Sequence, residues 1–125
     1  MERCEYLHAD LTEKLIGFAF DIFKQVGPRY PEKIYQKAFE NKLRDNQIKY
    51  SRENYGKVVV DGRKVGGFYL DFVVDNRVVV ELKVREKIIS TDVAQVLTYM
   101  KLEHMKIGII LLFTLYGVKI KRLII

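Results

Sequence analysis

Asp71, Glu81 and Lys83 are the residues of this 125-residue chain whose types and spacing could do chemistry. The stretch VVVELKV at 78–84 holds four valines, as a strand buried on both faces would, yet it carries an acid and a base two residues apart. Side chains alternate along a strand, so Val79, Glu81 and Lys83 share one face and Val78, Val80, Leu82 and Val84 the other. Residues two apart lie about 6.5–7 Å from each other at Cα, so long side chains can converge. The preceding stretch, FYLDFVV at 68–74, places Asp71 on a face with Tyr69 and Val73, with Phe68, Leu70 and Phe72 opposite. Paired across a turn at Asp75-Asn76, the two strands can project Asp71 and Glu81 from one face, with Lys83 beside them.

Unpaired buried charges cost several kcal/mol each, so such a cluster persists only if paired or metal-bound. A solvated Glu81–Lys83 or Asp71–Lys83 ion pair is one answer, but the apolar strands argue for burial. The other answer is a hard divalent cation. Mg²⁺ takes oxygen ligands at about 2.0–2.1 Å, usually one or two carboxylates with waters and substrate phosphate. Asp71 and Glu81 could supply the carboxylates and the Leu82 backbone carbonyl a further oxygen. Lys83 could orient or help deprotonate an attacking water and offset charge on a phosphate.

The elements that must position these groups follow from the pattern. Leu11, Leu15, Phe18, Ala19, Ile22 and Val26 recur at helical spacing, and Gly27-Pro28 ends that helix. Phe20 falls on its polar side and hints at a subunit contact. Pro31 suits the first turn of a second helix running to about Asn46. On it Glu32 projects with Tyr35, Phe39 and Leu43 toward the interior, although a first-turn acid also answers the helix dipole. Residues 49–60 read as extended, Asp61-Gly62 as a turn, and Gly66-Gly67 as a bulge or bend at the entry to FYLDFVV. Three strands on short turns form an antiparallel meander. Ser90 or Thr91 can cap a third helix with Val93, Val96, Leu97 and Met100 as its core stripe. Gln95 and Tyr99, four apart, share a flank of that helix; the amide can bind a water or phosphate, and the ring can stack on a base or hold the amide. Lys106 to Phe113 is a strand, and Tyr116-Gly117 turns into a last one, VKIKRLII. The order is helix, helix, three strands, helix, two strands: one α/β domain over residues 1–125.

Composition sets the outer limits. The chain is 49% hydrophobic and 30% charged, with a net charge of +6 that permits a polyanionic partner without demanding one. No run approaches the roughly 20 apolar residues of a membrane span, so no membrane partner is expected. The N-terminal residues are too acidic and polar for a secretory signal, so a cytoplasmic location is expected. The single cysteine, Cys4, has no partner for an internal disulfide. His8 and His104 lack metal spacing, and Ser51, Ser90 and Cys4 lack a histidine in any nucleophile motif.

Taken in order, Glu32, Asp71, Glu81-Leu82-Lys83, Gln95 and Tyr99 resemble the PD-(D/E)XK nuclease superfamily. The last two are similar to the QxxxY element of its RecB-like branch. More closely, the chain resembles the small prokaryotic GxxExxY proteins from Leu11 to Ile125, through Ile16-Gly17, Gly27-Pro28, Glu32 with Tyr35, and the block VGGFYLDFVVDNRVVVELK. Two positions depart: Arg29 stands for the first glycine, and Leu70 for the proline before the aspartate. The resemblance implies a restriction-endonuclease-like αβββαβ core, with a mixed sheet flanked by helices, extended by an N-terminal helix and a C-terminal edge strand. It also implies metal-dependent phosphodiester hydrolysis. Asp71 and Glu81 would ligate Mg²⁺ or Mn²⁺, Glu32 would assist at the metal, Lys83 would serve the attacking water, and Gln95 and Tyr99 would position water or substrate. DNA ranks ahead of RNA as the substrate; the oligomeric state is open, with a homodimer as one option by analogy with other small nucleases.

Lys119 and Lys121 share a strand face, which suits either a charged, aggregation-resistant edge or a phosphate-contacting rim. Lys57, Arg63, Lys64, Arg85 and Lys87 extend that rim. The competing function is a nuclease-fold module that binds nucleic acid or a protein without turnover, motivated by the small size and by Phe20.

Overall fold

A computed structural model describes residues 7–125; Cys4 lies outside the described residues. The elements are α1 (Ala9–Val26), α2 (Glu32–Asp45), β1 (Tyr50–Val60), β2 (Arg63–Val74), β3 (Val78–Val84), α3 (Ser90–Leu102), β4 (Ile107–Phe113) and β5 (Val118–Ile124). The strands form one mixed sheet in sequence order, antiparallel except between β3 and β4. The parallel pair is the one joined through α3, because a parallel return needs a crossover. This is the expected α/β, restriction-endonuclease-like architecture.

The turns follow backbone chemistry. Asp61-Gly62 and Asp75-Asn76 both have positive φ at their two central residues (50° and 75°, 51° and 54°), the left-handed pair that matches strand twist in a two-residue hairpin. The register slips between Val58 and Val59, opposite Gly66 and Lys64, so the bulge sits at Val65. β2 therefore starts at Arg63, ahead of the expected Phe68, because pairing with β1 carries the ladder through Gly66-Gly67. The N-cap of α3 is Ile89 rather than Ser90 or Thr91; its N–H donates to the Asp92 carboxylate at 3.3 Å.

Helices cover the sheet on both sides. On one, α1 and α2 bury Leu15, Ala19, Ile22, Tyr35, Phe39 and Leu43 against Phe72, Val74, Val78, Val80, Leu82 and the odd-numbered residues of β4. On the other, α3 packs Val96, Tyr99 and Met100 over Val73, Val79, Ile110 and Leu123. Gly108 allows that close approach: a Cβ there would meet Met100 Sδ at 2.7 Å and a Val96 methyl at 2.8 Å. No helix among the described residues is long and apolar enough to cross a membrane.

Candidate active site

The sheet parts at Asp71. The β2–β3 ladder ends at Phe72↔Val80, and the β1–β2 register skips Glu53 opposite Asp71, with Glu53 at φ 52°. The strand turns over there. Leu70 joins Val73 in the α3-side core while Phe72 faces α1 and α2, which corrects the simple alternation that set Leu70 and Phe72 on one face. Side chains then satisfy the backbone groups that the ladder has lost. The Asp71 N–H donates to Glu81 Oε1 at 3.0 Å, and the Leu82 N–H donates to Asp71 Oδ2 at 2.7 Å. The Asp71 carbonyl accepts from Arg52 Nε at 3.2 Å, and the Arg52 guanidinium rests over the Phe72 ring at 4.5 Å. Both carboxylates are thus pinned in a gap between two strands, which neither strand makes alone.

Charge in that gap is crowded. Glu81 is 3% exposed, and burial, then the Asp71 carboxylate, push its pKa up to about 8, with Lys83 pulling the other way. Lys83 Nζ stands 3.7 Å from Glu81 Oε2. Of the two ion pairs weighed as the alternative to a metal, Glu81–Lys83 is within reach, but at a buried acid rather than on a solvated face.

α2 brings the third acid. Tyr35 is fully buried, stacked on Phe113 with ring centroids 4.2 Å apart, and its hydroxyl donates to the Gly27 carbonyl at 2.6 Å. This fastens the α1–α2 connection onto the sheet and sets the first turn of α2 over the gap. Glu32 lies there, half-buried; desolvation raises its pKa, Lys83 lowers it, and Asp71 raises it. Between Glu32 and Asp71 stands Gln36, whose amide NH₂ donates to Glu32 Oε2 at 3.1 Å and Asp71 Oδ1 at 2.9 Å. Sequence reasoning missed Gln36. Its signal was available: it lies one helical turn beyond Glu32 and shares its flank.

Glu32, Asp71, Glu81 and Lys83 therefore come together; Gln95 and Tyr99 do not join them by any hydrogen bond among the described residues. Gln95 lines a cleft between α3 and the β1–β2 hairpin with Val58, Gly67, Phe68, Ser90, Thr91, Ala94 and Thr98. Tyr99 is packed into the α3-side core. Of the basic residues, Lys57, Arg63, Lys64, Lys87, Lys119 and Lys121 are exposed. Arg85 instead pairs with buried Asp92, tying the end of β3 to the first turn of α3. Lys119 Nζ donates to the Glu86 carbonyl at 3.3 Å. Phe20, 51% exposed, lies on the outside of α1 as expected.

Among the described residues no three Asp, Glu, His or Cys side chains form a ready-made cage for an ion. The donor set still suits Mg²⁺ or Mn²⁺. These ions need only one or two protein carboxylates, with water and phosphate completing the octahedron, and acids crowded together with a single lysine between them are what a divalent ion relieves.

A model of the PD-(D/E)XK nuclease superfamily matches residues 9–123. A search among curated proteins finds no match. Among solved structures, the crystal structure of SSO0001 superposes with a TM-score of 0.59 at 18% identity, over 98% of this chain. The chain spans 63% of the length of that structure.

Proposed function

The chain belongs to the PD-(D/E)XK nuclease superfamily, and from that premise we propose that it is a metal-dependent nuclease hydrolysing phosphodiester bonds of DNA, with RNA as the second choice. One observation carries the proposal. The β2–β3 ladder gives way at Asp71, and the opening there holds Asp71, Glu81 and Lys83 beside Glu32. A purely structural sheet would close its ladder there and bury no acid.

Asp71 and Glu81 would hold Mg²⁺ or Mn²⁺, with the Leu82 carbonyl as a further oxygen and Glu32 reaching the ion directly or through water. The bound ion supplies Lewis-acid polarisation of the phosphate and a more acidic water. Lys83, held against Glu81, orients the attacking water and offsets charge building on the phosphoryl oxygens. Gln36 keeps Glu32 and Asp71 apart at hydrogen-bonding distance. Gln95, on the neighbouring cleft, is suited to hold a phosphate or water as the substrate enters, and Tyr99 to brace the helix that presents it. Exposed Lys57, Arg63, Lys64, Lys87, Lys119 and Lys121 would contact phosphates; Arg85 is occupied by Asp92.

The closer resemblance to the GxxExxY proteins has a geometric counterpart. Arg29 stands where that pattern has glycine, and it sits at φ 74°, a conformation that glycine adopts without strain. Glu32 and Tyr35 are the acid at the gap and the ring that holds it there.

Incubation of single- and double-stranded DNA and of RNA with Mg²⁺, Mn²⁺ or EDTA tests the proposal. Cleavage is expected only with metal, and neither Glu81→Ala nor Lys83→Ala should cut. Absence of cleavage in every metal, together with nucleic-acid binding that survives Glu81→Ala, would favour the non-catalytic binding module instead.

A further inference from the structure

The β1–β2 hairpin runs past its neighbours. β3 has 7 residues, whereas β1 and β2 have 11 and 12, and β2 meets β3 only at Phe72, Val73 and Val74. The far half of the hairpin has no third strand. Phe68 turns toward α3, where it packs beside the Leu70 cluster and lines the cleft with Val58. Its neighbour Tyr69 therefore points to the opposite face, together with Tyr55, its register partner. That is the side on which α2 covers the sheet.

The two tyrosine rings lie 5.1 Å apart at 60°, and Tyr69 is 64% exposed. Lys64 Nζ sits 4.7 Å over the Tyr55 ring. Tyr55 lies flat across the strand only because residue 67 is glycine: a Cβ there would fall 2.1 Å from the Tyr55 hydroxyl. From Tyr50 to Leu70 the hairpin carries four cations (Arg52, Lys57, Arg63, Lys64) and two acids (Glu53, Asp61). Tyr69 precedes Asp71 by two residues, about 7 Å along the strand.

We propose that Tyr55 and Tyr69, backed by Lys64, form a stacking ledge for an unpaired nucleotide next to the scissile phosphate, so that the substrate is a single strand or a frayed end. This rests on the nuclease reading above and deepens it. The chemistry favours an unpaired base because a duplex keeps its base faces stacked on each other. A free base offers its face to an exposed ring, while nearby lysines hold its phosphates. A neutral partner would leave the excess cations of the hairpin unanswered, and an acidic peptide would answer them without offering the two rings a flat base to stack on.

The test is fluorescence anisotropy in EDTA with a short labelled single-stranded DNA, the matching RNA, and the duplex. Tyr69→Ala and Tyr55→Ala should each weaken single-strand binding by roughly 5- to 100-fold. Tyr69→Phe should restore it, and duplex binding should change little. The DNA and RNA arms identify the sugar. Tyr69→Ala removes an exposed side chain and decides the matter if Tyr55→Ala fails to fold. Single-strand binding unchanged in Tyr69→Ala, or an equal loss on the duplex, would overturn the ledge. Metal-dependent cleavage by the wild type is read in parallel: ring-dependent binding without cleavage sinks only the nuclease reading, and cleavage with ring-independent binding sinks only the ledge.

Discussion

Glu81 is a buried acid facing another acid, and its protonation should govern both the metal and the fold. With a pKa raised from 4.5 to about 8, it is mostly protonated at neutral pH when no cation is present. Metal binding must then release a proton, so Mg²⁺ affinity should climb up to about tenfold per pH unit below pH 8 and level off above it. Titration calorimetry in buffers of different ionisation enthalpy measures that release directly; none at pH 7 would mean that Glu81 is already ionised. The sign for stability is opposite to that of an ordinary paired carboxylate. The folded state binds the proton more tightly than the unfolded one, so this contribution is full below pH 4.5 and is lost as pH rises through about 8. Glu81→Gln should therefore flatten that dependence and stabilise the metal-free protein above pH 8 by about 1–3 kcal/mol in urea melts, while abolishing metal binding. Gln36 belongs to the same scale. Gln36→Leu removes the amide between Glu32 and Asp71 and should weaken Mg²⁺ binding by roughly 10-fold, in the range seen for groups that orient metal ligands.

Two elements hold the site in place, and each can be tested on its own. The α1–α2 connection is pinned by Tyr35 but strained at Arg29, whose φ of 74° costs an L-residue about 1–2 kcal/mol. Arg29→Gly relieves that strain and adds freedom to the unfolded chain, for a net gain of about 0.5–1 kcal/mol by denaturant melts. A loss would mean that the Arg29 side chain supports the loop. At the other end of the site, Arg85 meets Asp92, which also receives the Ile89 N–H at the start of α3. Arg85→Ala leaves a buried acid short of its partner and should cost about 1–2 kcal/mol, tempered by the partial exposure of Arg85. The salt dependence of nucleic-acid binding should be unaffected, unlike that of the exposed lysines.

Across the whole molecule, the sheet order puts the two groups of cations at opposite edges, with the acids between them. Lys57, Arg63 and Lys64 lie on the β1–β2 hairpin, and Lys119 and Lys121 on β5. A strand laid across the site would meet both. If it does, log–log plots of affinity against salt should fall steeply, and each lysine removed from a contacting edge should lower the slope by about 0.7 on single strands or 0.9 on duplex. Filter binding from low to moderate salt measures this. Slopes altered by the hairpin lysines alone would place the substrate on one side only.

The element order, the turns at Asp61-Gly62 and Asp75-Asn76, and the identities of Asp71, Glu81, Lys83 and Glu32 were legible in the chain because they depend on local signals: periodicity, turn residues, and charges inside an apolar run. The meeting of Asp71, Glu81 and Lys83 was inferred from strand alternation and that of Glu32 from its side of a helix; the four do come together, although the alternation fails at Asp71. Only the tertiary structure decided that the ladder breaks at Asp71, since both neighbouring strands and Arg52 must be in place before a backbone can surrender its pairs to carboxylates. Gln36 came into view the same way, because its second partner, Asp71, lies 35 residues away in sequence. Gln95 was placed on its helix correctly, but which cleft that helix borders depends on how far the β1–β2 hairpin extends. That extension is a matter of long-range pairing, which no local window records.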